Sequence, residues 1–327
     1  MASLVVCGAI NWDISCFVKR LPVPGEEVTI KHITRVSGGT GGNVAVAAAR
    51  ILGAEEVALI GALGKDDIAR QQIAALENEG IITAGIHQVV GEESGQAYIL
   101  VDQAGENVIA SHLGANAKLG LGHLNKAELK QQLKECRGIV LTDPPLEVAK
   151  ELINLAKRCG IPMLWDPGIL IGPNREVLLS LAREAEVLFL NESEASALLG
   201  TDNLDMSLQR LQKLGFSNHT VLKLGAQGAV ILEPASDVVT EVPALPLERL
   251  GLNVVSTVGC GDVFAGVFAA YYVMESSLEQ SLLMASAAAG LNATQPETRG
   301  SPDRVNLEKV ANRSRDLGFK TKEHKLP

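Results

Sequence analysis

The segment Ser256-Thr257-Val258-Gly259-Cys260-Gly261-Asp262 runs directly into the apolar stretch 263–270. Two glycines around one small residue allow a tight turn whose backbone N–H groups converge, and a helix that starts there adds unpaired N–H groups and the positive end of its dipole. The segment therefore predicts an anion cradle at a helix start, formed by Gly259-Cys260-Gly261. Asp262 is either an ordinary first-turn or capping carboxylate or a general base for an attacking hydroxyl, and these residues alone leave both interpretations open.

The composition bounds the class of protein. The chain has 327 residues, so it can bury a large core. Its formal net charge of -9 argues against a surface that binds nucleic acids, whose phosphates need clustered Lys and Arg. No basic leader is visible, and Asn11 and Asp13 interrupt the apolar start long before the length of a membrane span. The five cysteines are widely spaced and the six histidines lack ligand spacing, which indicates reduced thiols and no zinc site. We expect a cytoplasmic protein with neither nucleic acid nor membrane as partner.

Short apolar runs that end in Gly, Asp or Asn alternate with longer Ala/Leu-rich segments. This alternation is typical of a mostly parallel sheet wrapped by helices. The predicted strands are 4–8, 57–61, 138–142, 162–166, 187–191 and 220–225. The clearest helical patterns are 44–52, 68–79, 146–159 and 194–199. Because open parallel sheets bind ligands at the carboxyl ends of their strands, polar residues at those ends are candidates for a site.

Two segments break the alternation. Residues 15–36 contain an alternating stretch at 28–33, and residues 95–111 read as a hairpin with a turn at 102–105. We interpret residues 15–36 and 95–111 as a small β lid inserted into a core of residues 1–14, 37–94 and 112–327. A lid would exclude water from a reaction, whereas a plain surface hairpin is the alternative. Its exposed strand edge could pair with a second subunit and give a homodimer.

Two polar patterns lie near the first strand. Ser37-Gly38-Gly39-Thr40-Gly41-Gly42-Asn43 precedes an Ala-rich helix, so its glycines permit close approach of a ligand, and Asn43 either caps the helix or bonds a hydroxyl. A dinucleotide-binding loop is an alternative, although the third glycine of its fingerprint is missing. Asn11-Trp12-Asp13 places an amide and a carboxylate on one side of an extended chain, which suits vicinal hydroxyls or simple turn chemistry.

Two further patterns follow later strands. In Asn191-Glu192-Ser193-Glu194 the amide and the carboxylate three residues apart can meet on one face of a helix. Such a pair suits a hydrated Mg²⁺ beside nucleotide phosphates, but a capping arrangement is the favoured interpretation in isolation. Lys223-Leu224-Gly225-Ala226-Gln227-Gly228 predicts either a hairpin turn or a backbone platform for a purine.

Taken in order, these elements resemble the ribokinase-like (PfkB) carbohydrate kinase family over nearly the whole chain, in particular its ribokinase and nucleoside kinase members. Gly38-Gly39 through Asn43 looks like the N-terminal glycine motif of the family, 191–194 like its N-x-x-E motif, and 259–262 like its G-A-G-D signature. The resemblance implies a three-layer α/β/α core with a β lid, ATP or another nucleotide as phosphoryl donor, Mg²⁺ dependence, and transfer to a hydroxymethyl group of a sugar or nucleoside.

The resemblance also implies roles for single residues. Asp262 would be the base, and the backbone of Gly259, Cys260 and Gly261 the anion hole. The residues that would hold the sugar are Asn11, Asp13, Gly38, Gly39, Asn43 and Asp143. Those that would lie near the nucleotide are Asn191, Lys223, Gly225, Gly228 and Asn292. Mg²⁺ would be held, through water, by Asn191 and Glu194.

Three departures from the family pattern bear on specificity. Ser256 stands where the family often has an Asp that helps ribokinases hold a monovalent cation, so potassium activation is not expected here. Thr40 stands where ribokinases carry Lys, and Cys260 replaces a common Ala. A phosphorylated sugar is an alternative acceptor that would need an extra cation, for which the candidates by residue type are Lys19, Lys31, Arg35 and Arg175. An NAD-dependent oxidoreductase and a non-catalytic sugar or nucleotide sensor are the alternatives from other classes.

Overall fold

The computed structural model describes residues 2–103, 106–124, 127–168, 175–216, 218–234 and 236–326, with residues 127 and 128 by backbone alone. The strands within them are, in chain order, β1 (Leu4–Cys7), β2 (Asn11–Phe17), β3 (His32–Gly38), β4 (Val57–Gly64), β5 (Ile86–Val89), β6 (Gly95–Val101), β7 (Asn107–His112), β8 (Gly138–Leu141), β9 (Met163–Trp165), β10 (Val187–Asn191), β11 (His219–Lys223), β12 (Ala229–Leu232), β13 (Val238–Val242) and β14 (Lys322–Lys325). The α-helices are α1 (Thr40–Leu52), α2 (Asp67–Asn78), α3 (Leu121–Leu124), α4 (Ala127–Glu135), α5 (Leu146–Cys159), α6 (Arg175–Ala182), α7 (Glu192–Leu199), α8 (Leu204–Leu214), α9 (Cys260–Val273), α10 (Leu278–Asn292) and α11 (Arg304–Ser314).

The strands form a large sheet and a small sheet. The large sheet has the order β14-β13-β12-β11-β10-β9-β8-β1-β4-β5, and the strands from β11 to β5 are parallel. The strands β12, β13 and β14 extend it in antiparallel pairing. The predicted mostly parallel sheet is confirmed, because strands buried on both faces give the continuous apolar runs that the sequence shows.

Helices cover both faces of the large sheet. Along β1, Leu4 and Val6 pack into one apolar cluster with α1, α9 and α10, whereas Val5 and Cys7 pack into a second cluster with α5, α7 and α8. Successive side chains of a strand point to opposite faces, so the alternation places one helical layer on each side. The predicted three-layer α/β/α architecture is confirmed.

Most predicted elements lie where the patterns placed them, and β10 and α5 have the predicted bounds. The clearest difference is at α1, which begins at Thr40 instead of residue 44. Gly39 is its N-cap with a φ of 87°, a left-handed conformation that favours glycine, so the chain turns early. Gly41 then packs against the backbone of Gly8, where a Cβ would overlap, and this contact brings the helix start close to the end of β1. Most of the predicted glycine loop is therefore the first turn of the helix.

The small sheet has the order β3-β2-β6-β7 and contains the predicted hairpin β6-β7. The predicted turn of that hairpin includes residues 104 and 105, which lie outside the described residues. β2 begins at Asn11 and β3 ends at Gly38, so the sheet extends beyond the predicted lid segments at both points. The predicted strand at 28–33 begins at His32, whose register partner Phe17 is the last residue of β2. That the small sheet acts as a lid stays a prediction.

Candidate active site

Polar and charged side chains gather at the edge of the large sheet where its parallel strands end. Asp143 follows β8 and Asp166 follows β9, while Asn191 ends β10 and Lys223 ends β11. Because the carboxyl ends of parallel strands share one edge, these residues lie on the same side of the sheet. This edge of the sheet is therefore the candidate site.

The cradle at the start of α9 has an open helix end. Its N-cap, Gly259, has a φ of 77° and offers no side chain to the helix. The first bond of the helical ladder runs from the N–H of Val263 to the carbonyl of Gly259 over 2.9 Å, so the N–H groups of Gly261 and Asp262 precede it. The N–H of Cys260 instead donates within the preceding turn, over 3.3 Å. The cradle therefore consists of the N–H groups at positions 261 and 262 together with the positive end of the helix dipole.

Asp262 turns its carboxylate toward a neighbouring helix. Its Oδ2 accepts a hydrogen bond from Nδ2 of Asn43 in α1, over 2.8 Å. Burial raises the pKa of Asp262 to about 7, while the bond from Asn43 lowers it and the charge of Asp166 raises it further. A carboxyl group with this pKa at the mouth of an anion cradle can accept a proton from a hydroxyl near neutral pH. The geometry thus favours the general-base interpretation over simple capping.

The amide and the carboxylate of the Asn11-Trp12-Asp13 segment both lie on β2, two residues apart and so on one face. Oδ1 of Asn11 accepts a hydrogen bond from Nδ2 of Asn116 over 2.9 Å. Asp13 is buried against Gly38, where any Cβ would overlap its carboxylate. Burial raises the pKa of Asp13 to about 6, although the positive charge of Arg299 lowers it.

Asp143 is fixed by three donors, one after β1, one in α1 and one after β8. Its Oδ1 accepts hydrogen bonds from the N–H of Ala9 (3.1 Å), from the hydroxyl of Thr40 (2.6 Å) and from the hydroxyl of Thr142 (3.1 Å). Thr40, the position at which the sequence departs from ribokinases, therefore ties the first residue of α1 to the end of β8. Thr40 supplies a hydroxyl group at a position where a lysine would supply a positive charge.

Lys223 forms an ion pair that was not expected from the sequence. Its Nζ lies 2.5 Å from Oδ2 of Asp166, and each side chain is only 12% exposed. A Cβ on Gly261 would lie 3.4 Å from the same Nζ, so the ammonium group stands beside the cradle. Burial lowers the pKa of Lys223, but the charges of Asp166 and Glu194 raise it above its ordinary value. Sequence reasoning did not select Asp166 as a site residue, although Asp166 ends one of the predicted strands and polar residues at strand ends were candidates.

The start of α7 is capped by its own side chains. Oδ1 of Asn191 accepts the N–H of Glu194 over 2.8 Å, and Oε2 of Glu194 accepts the N–H of Asn191 over 2.8 Å. Burial and the nearby charge of Asp166 raise the pKa of Glu194. Across the described ranges, no group of three or more His, Cys, Asp or Glu residues is arranged to hold a metal ion. The carboxylates of Glu194 and Asp166 are nevertheless the oxygen donors that Mg²⁺ prefers, so these two residues would hold a hydrated cation that supplies positive charge for a phosphate.

A cavity of about 760 Å³ opens beside the cradle. Several of the predicted nucleotide and cradle residues line it, namely Asn191, Lys223, Gly225, Gly228, Cys260 and Gly261. The far wall comes from α10 and from residues 244–249, and it is largely apolar. A charged end at the cradle and an apolar far wall match the two ends of a nucleotide.

Asn292 is fully buried beneath the cradle. Its Nδ2 donates to the carbonyl of Val258, in the loop before α9, over 3.3 Å and to Sγ of Cys260 over 3.5 Å. Ala289, Gly290 and Ala293 line the cavity from the same part of the chain. Asn292 therefore supports the cradle from behind, and its place near a nucleotide stays a prediction.

The cations near the site also differ from expectation. Lys19, Lys31 and Arg35 are exposed, and Nε of Arg175 donates to a carbonyl at the end of α7 over 2.6 Å. Arg299 is a buried cation beside Asn43 and Gly38, with 8% of its surface exposed. Sequence reasoning missed Arg299, because an arginine in a loop carries no pattern that predicts burial.

The chain matches the pfkB family of carbohydrate kinases over residues 1–304 and belongs to that family. It is a phosphotransferase with an alcohol group as acceptor, which argues against the oxidoreductase and sensor interpretations. No helix in the described parts of the chain is long and apolar enough to cross a membrane.

Relatives and solved structures agree with this membership. The chain is 29% identical over 303 residues to the ATP-dependent ribose-1-phosphate kinase of Halopiger xanaduensis, which covers 92% of this chain and 95% of that protein. It is 30% identical over 304 residues to the deoxyribokinase of Salmonella typhi, covering 91% and 94%. The structure of Arabidopsis thaliana ribokinase with ribose and ATP superposes with a TM-score of 0.83 at 27% identity, covering 95% of this chain and 99% of the other.

Proposed function

We propose that the protein transfers the γ-phosphoryl group of a nucleotide, in the first place ATP, to a hydroxymethyl group of a free sugar or of a sugar-containing nucleoside. The observation that carries this proposal is the pair of Asp262 and Asn43, which joins the starts of two helices at 2.8 Å beside an open anion cradle. One helix presents the cradle, and the other presents the amide of Asn43 to the carboxylate of Asp262. This arrangement supports a reaction between a phosphate and a hydroxyl group.

Each described group has a separate task in the proposed reaction. The carboxylate of Asp262 accepts the proton of the acceptor hydroxyl as its oxygen attacks phosphorus, and the bond from phosphorus to the bridging oxygen of the nucleotide breaks in line with this attack. The N–H groups at Gly261 and Asp262 and the ammonium group of Lys223 stabilise the negative charge on the transferring group. Positioning and charge stabilisation supply most of the rate enhancement.

A hydrated Mg²⁺ would neutralise the phosphate oxygens of the donor. We propose Asn191, Glu194 and Asp166 as the residues that hold its water shell. Burial and, after it, the charge of Asp166 raise the pKa of Glu194, and a cation would compensate the second of these effects. The backbone around Gly225 and Gly228 would carry the base of the nucleotide.

The charges near Asp13 favour an uncharged acceptor. The sugar side of the site contains the carboxylates of Asp13, Asp143 and Asp262, which would repel a phosphate group. Arg299 is cationic, but its guanidinium donates to Asn43 and Gly38. We propose Asn11, Asp13, Gly39, Asn43 and Asp143 as sugar contacts. A phosphorylated sugar is the second candidate acceptor, since the relative from Halopiger xanaduensis is named for one.

One assay tests the acceptor class. Nucleotide consumption is coupled to a spectroscopic readout, with Mg²⁺ present, against ribose, 2-deoxyribose, ribose 1-phosphate and inosine. We expect turnover with a free pentose or a nucleoside, and a lower kcat/KM by at least about tenfold with ribose 1-phosphate. A preference for the sugar phosphate would overturn the free-sugar proposal and establish the second candidate.

We further propose that turnover does not require a monovalent cation. Ser256 uses its hydroxyl to accept the N–H of Val258 over 3.3 Å, and its own N–H donates to the carbonyl of Ala293 over 3.1 Å. The loop at Ser256 is therefore held by hydrogen bonds within the protein, and Ser256 offers no carboxylate to a cation. We expect equal rates in potassium and tetramethylammonium salts at one ionic strength, and activation by potassium would contradict the proposal.

We propose a cytoplasmic homodimer that pairs through the small sheet. Val108 and Ile109 on β7 are 55% and 51% exposed, and Tyr98 on β6 is also exposed. Exposed apolar residues on an edge strand favour pairing with another chain. Sedimentation of the protein and of Val108→Asp distinguishes a dimer that the substitution dissociates from a monomer.

A further inference from the structure

A buried arginine connects the two glycine-rich motifs of the site. Nε of Arg299 donates to Oδ1 of Asn43 over 3.0 Å, and its Nη2 donates to the carbonyl of Gly38 over 2.9 Å. Asn43 in turn donates from Nδ2 to Asp262 over 2.8 Å. The three side chains therefore form one chain of hydrogen bonds from a loop after α10 to the cradle.

The direction of these bonds fixes the Asn43 amide. Its oxygen faces the guanidinium group of Arg299, which has donors and no acceptor, so its nitrogen must face Asp262. If the amide turned over, its oxygen would meet the carboxylate of Asp262, and its NH₂ group would meet the donors of Arg299. Arg299 thus selects the orientation in which Asn43 donates to Asp262.

The surroundings of Arg299 are built to hold it in place. Gly42 in α1 lies against the guanidinium group, and a Cβ there would overlap Nη2. Nη1 of Arg50, also in α1, donates to the carbonyl of Arg299 over 2.7 Å, and Arg50 forms an ion pair with Glu79. Asn43 and Arg50 are seven residues apart and so share one face of the helix, which holds both the side chain and the backbone of Arg299.

We propose that Arg299 is a positioning residue that acts through Asn43. It orients the carboxylate of the base Asp262 and favours its ionised form. This inference rests on the proposed role of Asp262. The charged groups that face Asp262 are Asp166 after β9, Lys223 on β11, Asp143 after β8 and Arg299 itself. Of these, Arg299 is the one that also sets the hydrogen bond to Asp262, since it holds the amide that donates it.

The test compares kcat/KM for the acceptor as a function of pH in Arg299→Met, Asn43→Ala and the double variant. Without the oriented amide, the carboxylate of Asp262 loses a bond that favours its charged form. We expect Arg299→Met to lower kcat/KM by about tenfold and to shift the acid limb of the pH profile to higher pH by at least about 0.5 pH units. The double variant should lose no more than about twofold beyond the larger single loss, because both changes break the same connection.

Gly42→Ala provides a second route to the same result if Arg299→Met folds poorly. The added methyl group displaces the guanidinium group while every charge is kept, and alanine is compatible with the helix. We expect the acid limb to move in the same direction as in Arg299→Met.

Arg210→Met is the matched control. Nη1 of Arg210 also donates to backbone carbonyl groups, those of Leu199 and Gly200, but at the C-terminal end of α7. We expect this variant to lower the melting temperature without moving the acid limb. A wild-type profile in folded Arg299→Met or Gly42→Ala, or additive losses in the double variant, would overturn the role of Arg299. Near-normal turnover in Asp262→Asn would instead overturn the base assignment on which it rests, so the two failures are distinguishable.

Discussion

The starts of α7 and α9 carry similar sequences and have different structures. Each begins beside the end of the large sheet, and each has a carboxylate at its third residue, Glu194 or Asp262. At α7 the side chains of Asn191 and Glu194 bond each other's backbone N–H groups, which completes a capping box. At α9 the N-cap is a glycine, and Asp262 bonds Asn43 in another helix.

The difference between the two helix starts shows which features make a helix end reactive. The capping box at α7 satisfies the N–H groups of Asn191 and Glu194 and holds the Glu194 side chain at its own helix start. At α9 the N-cap glycine has no side chain to bond the N–H of Asp262, and the Asp262 carboxylate contacts another helix. We therefore expect substitutions at Asp262 to change chemistry and substitutions at Glu194 to change the metal requirement.

The largest effect is expected for Asp262→Asn. The amide cannot accept the hydroxyl proton, so kcat should fall by at least about 10²-fold, the usual scale for a positioned base. Nucleotide binding, measured by calorimetry, should stay within a few-fold of wild type because the cradle is made by backbone. Near-normal turnover would show that Asp262 is a structural first-turn residue, like Glu194 in the capping box of α7.

The next effect is expected for Lys223→Met. Its charge stands beside the cradle, so kcat/KM for the nucleotide should fall by at least about tenfold. The free energy of unfolding should also fall by several kcal/mol, because Asp166 keeps a buried charge without its partner. Adding Asp166→Asn should restore the melting temperature but not the activity. Recovery of both would show that Lys223 serves structure alone.

A smaller effect is expected for Glu194→Gln. Glutamine preserves the capping box and removes the charge, so kcat at saturating Mg²⁺ should change by less than about twofold. The Mg²⁺ concentration for half-maximal rate should rise by about threefold or more, since one negative charge near the cation is lost. Glu176→Gln, an exposed carboxylate in the first turn of α6, is the control. An unchanged Mg²⁺ titration would support a capping role alone for Glu194.

The smallest effect is one on stability, measured without ligands. The pKa of Asp262 is about 7 in the folded protein and near 3.8 when unfolded, so the folded state holds the proton more tightly. Its contribution is fully present below pH 3.8 and is lost as the pH rises through 7. Asp262→Asn lacks this titration, so its melting temperature should exceed that of wild type by a margin that grows by about 2 °C or more from pH 5 to pH 8. A margin that stays constant with pH would contradict the raised pKa.

Much of the fold could be read from local patterns. The apolar runs of the parallel strands and the helical period of α5 are properties of neighbouring residues, and both elements appear where they were predicted. Asp143, Asn191 and Lys223 lie at one edge because the predicted parallel strands end there. The burial of Asn292 could not be read from the sequence, because a helical pattern does not tell which face of a buried helix borders a cavity.

The sequence by itself determined the order and spacing of the glycine and acid motifs, and with them the membership of the family and the class of reaction. Tertiary structure decided which groups surround each carboxylate. Asn43 and Asp262 are 219 residues apart, and no local pattern predicts their bond. The pKa of Asp262, the ion pair of Lys223 with Asp166 and the position of Arg299 depend on which groups surround a buried charge, and that environment exists only after the chain has folded.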